Sequence, residues 1–241
     1  VESTYGNRLH KGMQATIVEL ADAVNNTLRR KQGNVIIPAF AVGRTQEILY
    51  LLTKLMHEGR IPANTQIIVD SPMATAATAI TLKYRNLLDE ESQALLDWGR
   101  GGDGPAHIRF TESVEDSMAL NHVRHGAIII SASGMCNAGR VKQHLKFNLP
   151  RRECTVIIAG FQAQGTLGRK LVDHAASVRI FQESMKDSAE SIRSTSCSEL
   201  ISSEKIPTGI SCFTAALRAI SSASDVFPIE GRAARMMRSA F

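Results

Sequence analysis

The sequence predicts a layered α/β fold around a mostly parallel sheet, and two observations carry that prediction. Short continuous apolar runs alternate with segments of helical periodicity through most of the chain. Most of these runs also empty into a turn of small residues that opens the next helix. Continuous apolar strands are buried on both faces, and helices between them supply the crossovers that parallel pairing needs. The expected architecture is a Rossmann-like sheet between helical layers, receiving ligands beyond the carboxyl ends of its strands.

Element by element, Met13 to Arg30 sets Ile17, Leu20, Ala21, Val24 and Leu28 at the three-and-four spacing of one helical face. Asn34 to Pro38 reads as a short buried strand, and Gly43 to Glu58 returns to helical spacing through Ile48, Leu51, Leu52 and Leu55. The alternation repeats with a strand over Gln66 to Asp70 and a helix from about Pro72, where proline suits a first helical turn. A charged helix over Asp89 to Trp98 and a glycine loop over Gly99 to Gly104 follow. A helix near Ser113 to Val123 leads to a strand at Ala127 to Ser131, and a helix over Ala138 to Phe147 leads to a strand at Thr155 to Gly160. Past about Phe181 the chain turns serine-rich, the alternation lapses, and no histidine follows His174.

Composition bounds the function classes. A chain of 241 residues, 44% hydrophobic, suits one large domain or two small ones with a buried core. No apolar run approaches the roughly 20 residues that span a bilayer, so no membrane partner is expected. Cys136, Cys154, Cys197 and Cys212 show no CxxC spacing and read as reduced, mostly buried thiols of a cytoplasmic protein. The net charge of +5 is compatible with a polyanionic partner without establishing one.

Three stretches, Val1 to Arg8 (VESTYGNR), Ile37 to Glu47 (IPAFAVGRTQE) and Ser131 to Arg140 (SASGMCNAGR), each run from a strand through a small-residue turn toward a helix. Such turns leave backbone N–H groups exposed and suit phosphates. In this order, joined by Ile67 to Ala74 (IIVDSPMA) and Ile157 to Arg169 (IIAGFQAQGTLGR), they closely resemble the β-CASP branch of the metallo-β-lactamase superfamily over roughly residues 1 to 181. The resemblance implies a zinc-dependent ribonuclease with two zinc ions and RNA as its partner. It divides the chain into 1–8, the end of a metallo-β-lactamase-like segment; 9–181, the β-CASP domain; and 182–241, a tail that is divergent, disordered or out of frame. Codons for Glu190 to Thr195 and for Cys197 to Ile201, displaced by one base, can spell Val-His-Thr-Ile-Asn and Phe-Gly-Ala-His, which resemble the family. The superfamily's His-x-His-x-Asp-His segment is absent, and the chain starts inside a motif, so the expectation is the middle and end of a longer protein whose zinc ligands lie elsewhere.

By the same resemblance Glu2 orients a histidine near the scissile phosphate. Arg44, at a helix start after Gly43, suits a phosphate, with pairing to Glu47 as the alternative. Ser131, Ser133 and Arg140 belong to a second turn, and Gln162, Thr166 and Arg169 to a third; together they look like a cleft holding an RNA backbone. Asp70, before Ser71 and Pro72, reads as part of a helix cap. His122 and His125 read as solvated, the other histidines offer no pairing, and Trp98 and Tyr84 are isolated aromatics rather than a stacking platform. Two rivals remain open: a non-catalytic RNA-binding scaffold, and a nucleotide-binding Rossmann module that would lack the GxGxxG turn.

Overall fold

A computed structural model describes residues 12–100, 108–187 and 190–192. Glu2, Cys197, Cys212 and the chain past Ile192 lie outside the described residues. In chain order the helices are α1 (Met13–Asn25), α2 (Arg44–His57), α3 (Pro72–Lys83), α4 (Glu90–Arg100), α5 (Val114–Ala119), α6 (Val141–Asn148) and α7 (Leu167–Val172). The strands are β1 (Val35–Pro38), β2 (Gln66–Asp70), β3 (Ile108–Phe110), β4 (Ala127–Ser131), β5 (Thr155–Ile157), β6 (Ser177–Ile180), β7 (Glu183–Lys186) and β8 (Glu190–Ile192). Six of them form one sheet in the order β3-β2-β4-β1-β5-β8, and every neighbouring pair is parallel. The predicted layered α/β fold is the observed one.

Period-two alternation along the strands divides the core into two layers. Val35, Ile37, Ile67, Val69, Ile128, Ile130 and Ile157 face α1 and α2, where they meet Leu20, Val24, Ile48, Leu52 and Leu55. Ile36, Ile68, Ile129, Val156 and Ile158 face the other way, onto Val141, Leu145 and Leu149 of and just after α6 and Leu171 of α7. Both faces of each central strand are therefore apolar, which is why those strands read as unbroken hydrophobic runs. Each such isoleucine contributes about 2 kcal/mol by its burial.

The departures from the sequence reading have local causes. The first predicted helix ends at Asn25 and continues as a π-helical turn over Asn26–Lys31, closed by Gln32 at φ 56°. Helix α6 begins at Val141 rather than Ala138, because Gly139 sits at φ 82° with its Cα against the Ala132 carbonyl: a Cβ there would lie 2.3 Å from that oxygen. Helix α4 runs on to Arg100, so the expected glycine loop starts later, and its remainder falls in 101–107, outside the described residues. Strand structure also continues past Phe181. β6 and β7 form an antiparallel hairpin whose two turn residues, Phe181 and Gln182, both have positive φ. That geometry normally draws Asn and Gly, so the sequence carries no turn signal there.

At the amino edge of the sheet, Gly33 packs so closely on the segment before β5 that a Cβ would lie 1.9 Å from the Glu153 carbonyl oxygen. Its neighbour Asn34 accepts a hydrogen bond from Ala127 N–H through Oδ1 and donates through Nδ2 to the Val123 carbonyl, tying β1 to β4. Gly33→Ala should therefore cost about 2 kcal/mol or more, since backbone has to move. Gly160→Ala, where a Cβ meets nothing within 4 Å, should stay within about 0.5 kcal/mol. Denaturant titrations of the two variants check this; equal stabilities would show that the β1–β5 contact is looser than described.

Candidate functional site

Because the sheet is parallel, every strand delivers its exit turn to the same edge, and that edge is organised around one buried carboxylate. Asp70 ends β2 with none of its surface exposed. Its Oδ1 accepts hydrogen bonds from Thr111 Oγ1 at 2.5 Å and from the Arg140 guanidinium at 2.8 Å. Its Oδ2 accepts one from Ser117 Oγ at 2.6 Å and lies 2.6 Å from Nε2 of His144, which is itself buried. An ionised carboxylate only accepts, so that imidazole nitrogen carries the proton. Burial pushes the Asp70 carboxyl upward, but the hydrogen bonds from His144, Ser117 and Thr111 outweigh it and hold the group well below the usual carboxylate range.

The network ties the edge together across several elements. Thr111 follows β3, Ser117 lies on α5, and Arg140 and His144 flank the first turn of α6. Arg140 also donates to the Glu112 carbonyl at 2.8 Å, so its guanidinium spans the exits of β2 and β3. Ser131 Oγ donates to the Asp70 carbonyl, and the Ser131 carbonyl accepts from Ala39 N–H, linking β2, β4 and β1 in sequence. Ser71, not Asp70, is the N-cap of α3: its side chain accepts from Ala74 N–H, and Pro72 follows at the first helical position.

The turn after β1 is held by Thr45, whose N–H and hydroxyl both donate to the Phe40 carbonyl. It is closed by Gly43 at φ 84°, whose N–H donates to Gln46 Oε1 at 2.8 Å. Gly134, in the turn after β4, lies under the Phe40 ring, 3.0 Å from the place a Cβ would take. The turn after β5 docks on it, since Gln162 Nε2 donates to the Gly134 carbonyl at 2.9 Å. Gln162 Oε1 sits 1.7 Å from where a Cβ on residue 168 would be, so glycine there leaves the Gln162 amide its place. Asn137 Oδ1 accepts from Leu167 N–H, and Thr166 caps α7 by accepting from Arg169 N–H.

Of the sequence-predicted residues, Arg44, Ser131, Ser133, Arg140, Gln162, Thr166 and Arg169 all belong to exit turns of this edge or the helix starts beyond them, and Glu2 lies outside the described residues. Their side chains are occupied in different ways. Arg44 lies 3.6 Å from the buried Glu47, and Arg169 donates to Asp173 at 2.9 Å. Ser133 Oγ donates to the Ala138 carbonyl, and Gln162 and Thr166 are buried. The reading of His144 as unpaired is corrected by its contact with Asp70, and Asp70 is the centre of the network rather than a cap. One signal was available: Arg140 and His144 stand four apart, on one helical face, and a lone aspartate at a strand end is the natural partner of such a pair. Thr111 and Ser117 gave none. Cys136 and Cys154 are buried and free, with Cys136 pushed up to about 12 by burial, which makes it a poor nucleophile.

Folding lowers the Asp70 carboxyl, so the group adds stability above its unfolded value of about 4, and that contribution fades as pH falls below about 5. Asp70→Asn should cost about 3 kcal/mol near neutral pH, because four donors, the Arg140 guanidinium among them, lose a buried charge. Its stability should also fall less steeply on acidification than that of the parent chain. Denaturant titrations at neutral and acid pH measure both, and identical pH dependence in the two proteins would remove Asp70 from this role.

Comparison with known proteins agrees with the geometry. The Beta-Casp domain family matches residues 45–171. Ribonuclease TTHA0252 of Thermus thermophilus is 36% identical over 182 residues, covering 76% of this chain and 41% of that protein. An RNase J-like protein of Methanocaldococcus jannaschii is 32% identical over 184 residues, again 76% of this chain and 41% of the relative. The transcription termination factor FttA of Methanosarcina mazei is 30% identical over 175 residues, 70% of this chain and 27% of its own length. The chain thus spans about two fifths or less of these relatives. With a family match over more than half its length, the chain belongs to the Beta-Casp domain family.

Proposed function

We propose that this chain is the RNA-clamping part of a metal-dependent ribonuclease, holding the RNA backbone across the carboxyl edge of its sheet. The observation that carries the reading is the convergence of the four described motif turns on that edge, fixed by strictly parallel pairing. Relatives named as ribonucleases support it. The edge presents the N-terminus of α2, the positive end of its dipole, with Arg44 at its first position, and Arg169 stands in the first turn of α7 after the β5 exit. Phosphates are held by such groups without regard to base sequence. Free buried thiols at Cys136 and Cys154 support a reducing, cytoplasmic setting. No helix among the described residues is long and apolar enough to cross a membrane.

The two zinc ions of the reading would supply a polarised hydroxide for attack on phosphorus. The described residues do not fit them: no group of three or more His, Cys, Asp or Glu side chains that could hold a metal ion stands together there. Asp70 and His144 are spent on each other in the core. No step of hydrolysis is therefore assigned to these residues, and their part is to bind and orient the strand. The domain division follows the same reading, with 1–8 as the end of a metallo-β-lactamase-like segment and 9–181 as the clamp, to which the later strands β7 and β8 add.

Arg44→Ala and Arg169→Ala should each weaken binding of single-stranded RNA of unrelated sequences to a similar degree. Each should also flatten its dependence on salt by about 0.7 of a logarithmic unit per unit of log salt, the release from roughly one phosphate. Ser133→Ala should lower affinity with little change in slope. Arg60→Ala, at the far end of α2, serves as the control. Binding curves across a salt series measure this; unchanged slopes for both edge arginines in folded protein would place the RNA elsewhere.

A further inference from the structure

Phe40 and Phe161 are exposed where the layered fold would be expected to hide them. Phe40 is 48% exposed and Phe161 39%, each just past the end of a core strand. β1 and β5 are adjacent parallel strands, with Ile36 opposite Val156, so both aromatic residues follow strands that exit at the edge described above.

Phe40 is also held rigidly. Ala39 N–H donates to the Ser131 carbonyl on one side, and on the other the Phe40 carbonyl takes both donors of Thr45. The ring rests on Gly134, where a Cβ would press on it at 3.0 Å, and Gln162 donates to the carbonyl of that same glycine. A fixed backbone and a glycine floor leave the ring little freedom to lose on binding, which favours a flat apolar ligand. The start of α2, with Arg44, lies four residues on, so the ligand that suits the site carries negative charge beside a flat apolar ring.

We propose that Phe40 is a nucleobase-stacking platform at the carboxyl edge, so that the edge takes the bases of a single strand as well as its phosphates. The proposal rests on the RNA reading and deepens it. Stacking of bases on aromatic rings is tolerant of sequence, because every base has a π-face. It therefore adds affinity without adding counterion release, and this separates Phe40 from the arginines.

The test uses the 241-residue chain, a short single-stranded oligoadenylate, and an abasic oligomer with the same number of phosphates. Phe40→Leu keeps an apolar side chain but removes the ring. It should weaken oligoadenylate binding about tenfold, leave the salt slope unchanged, and leave the abasic oligomer bound as before. Phe40→Trp should restore binding. If the parent binds oligoadenylate and Phe40→Leu matches it, or if Phe40→Leu loses the abasic oligomer equally, the platform is overturned while the RNA reading stands. If the parent binds neither oligomer even at low salt, the RNA reading falls and takes the platform with it.

Discussion

The working edge of this protein depends on a buried negative charge. Asp70 sits at the carboxyl end of β2 with no exposed surface, and it is tolerated there because Thr111, Ser117, Arg140 and His144 all direct donors at it. A carboxylate taken out of water costs several kcal/mol unless its lone pairs are met, so each partner is bound to its place as firmly as the charge itself. The result is a fixed relation among β2, the segment after β3, α5 and α6. Arg140 transmits that relation to the surface side by spanning from Asp70 to the Glu112 carbonyl. Any ligand that reads the spacing of the exit turns is reading a geometry set by Asp70.

On top of that frame, the turns after β4, β1 and β5 interlock through Gly134. The Phe40 ring lies over it and the Gln162 amide binds its carbonyl. Gly139 and Gly168 allow the neighbouring backbone and side-chain contacts to be equally close. These glycines do two different jobs: Gly139 supplies a positive φ together with room for the Ala132 carbonyl, whereas Gly134 and Gly168 supply room alone. The edge is thus a rigid surface of small residues, with aromatic rings and basic side chains set around it. Such a surface can hold a flexible polyanion without itself having to order, which spares part of the entropy that binding otherwise costs.

Much of the fold could be read from the residues because parallel strands buried on both faces leave an unmistakable apolar run, as at Ile67 to Val69 and Ile128 to Ile130. The edge strand β3 escaped, since only three residues pair and the middle one is Arg109. The hairpin β6–β7 escaped because Phe181 and Gln182 take positive φ without being Gly or Asn. At the site, the motif turns were legible as turns, but the use of their side chains was not. His144 lies 74 residues from Asp70, and periodicity or capping rules do not reach across such a gap. Phe40 was passed over for a related reason: within an apolar strand motif it looks like core, and only its place after the last ladder bond turns it outward.

The most direct test is a map of amide hydrogen exchange with and without a single-stranded RNA oligomer. If the carboxyl edge is the RNA surface, the oligomer should slow exchange in 39–45, 131–140 and 160–167. The amino edge, around Gly33, Arg124 to Ala127 and Arg151 to Cys154, should exchange as before. Protection confined to the amino edge or the outer helix faces, with the strand-exit turns unaffected, would contradict the account.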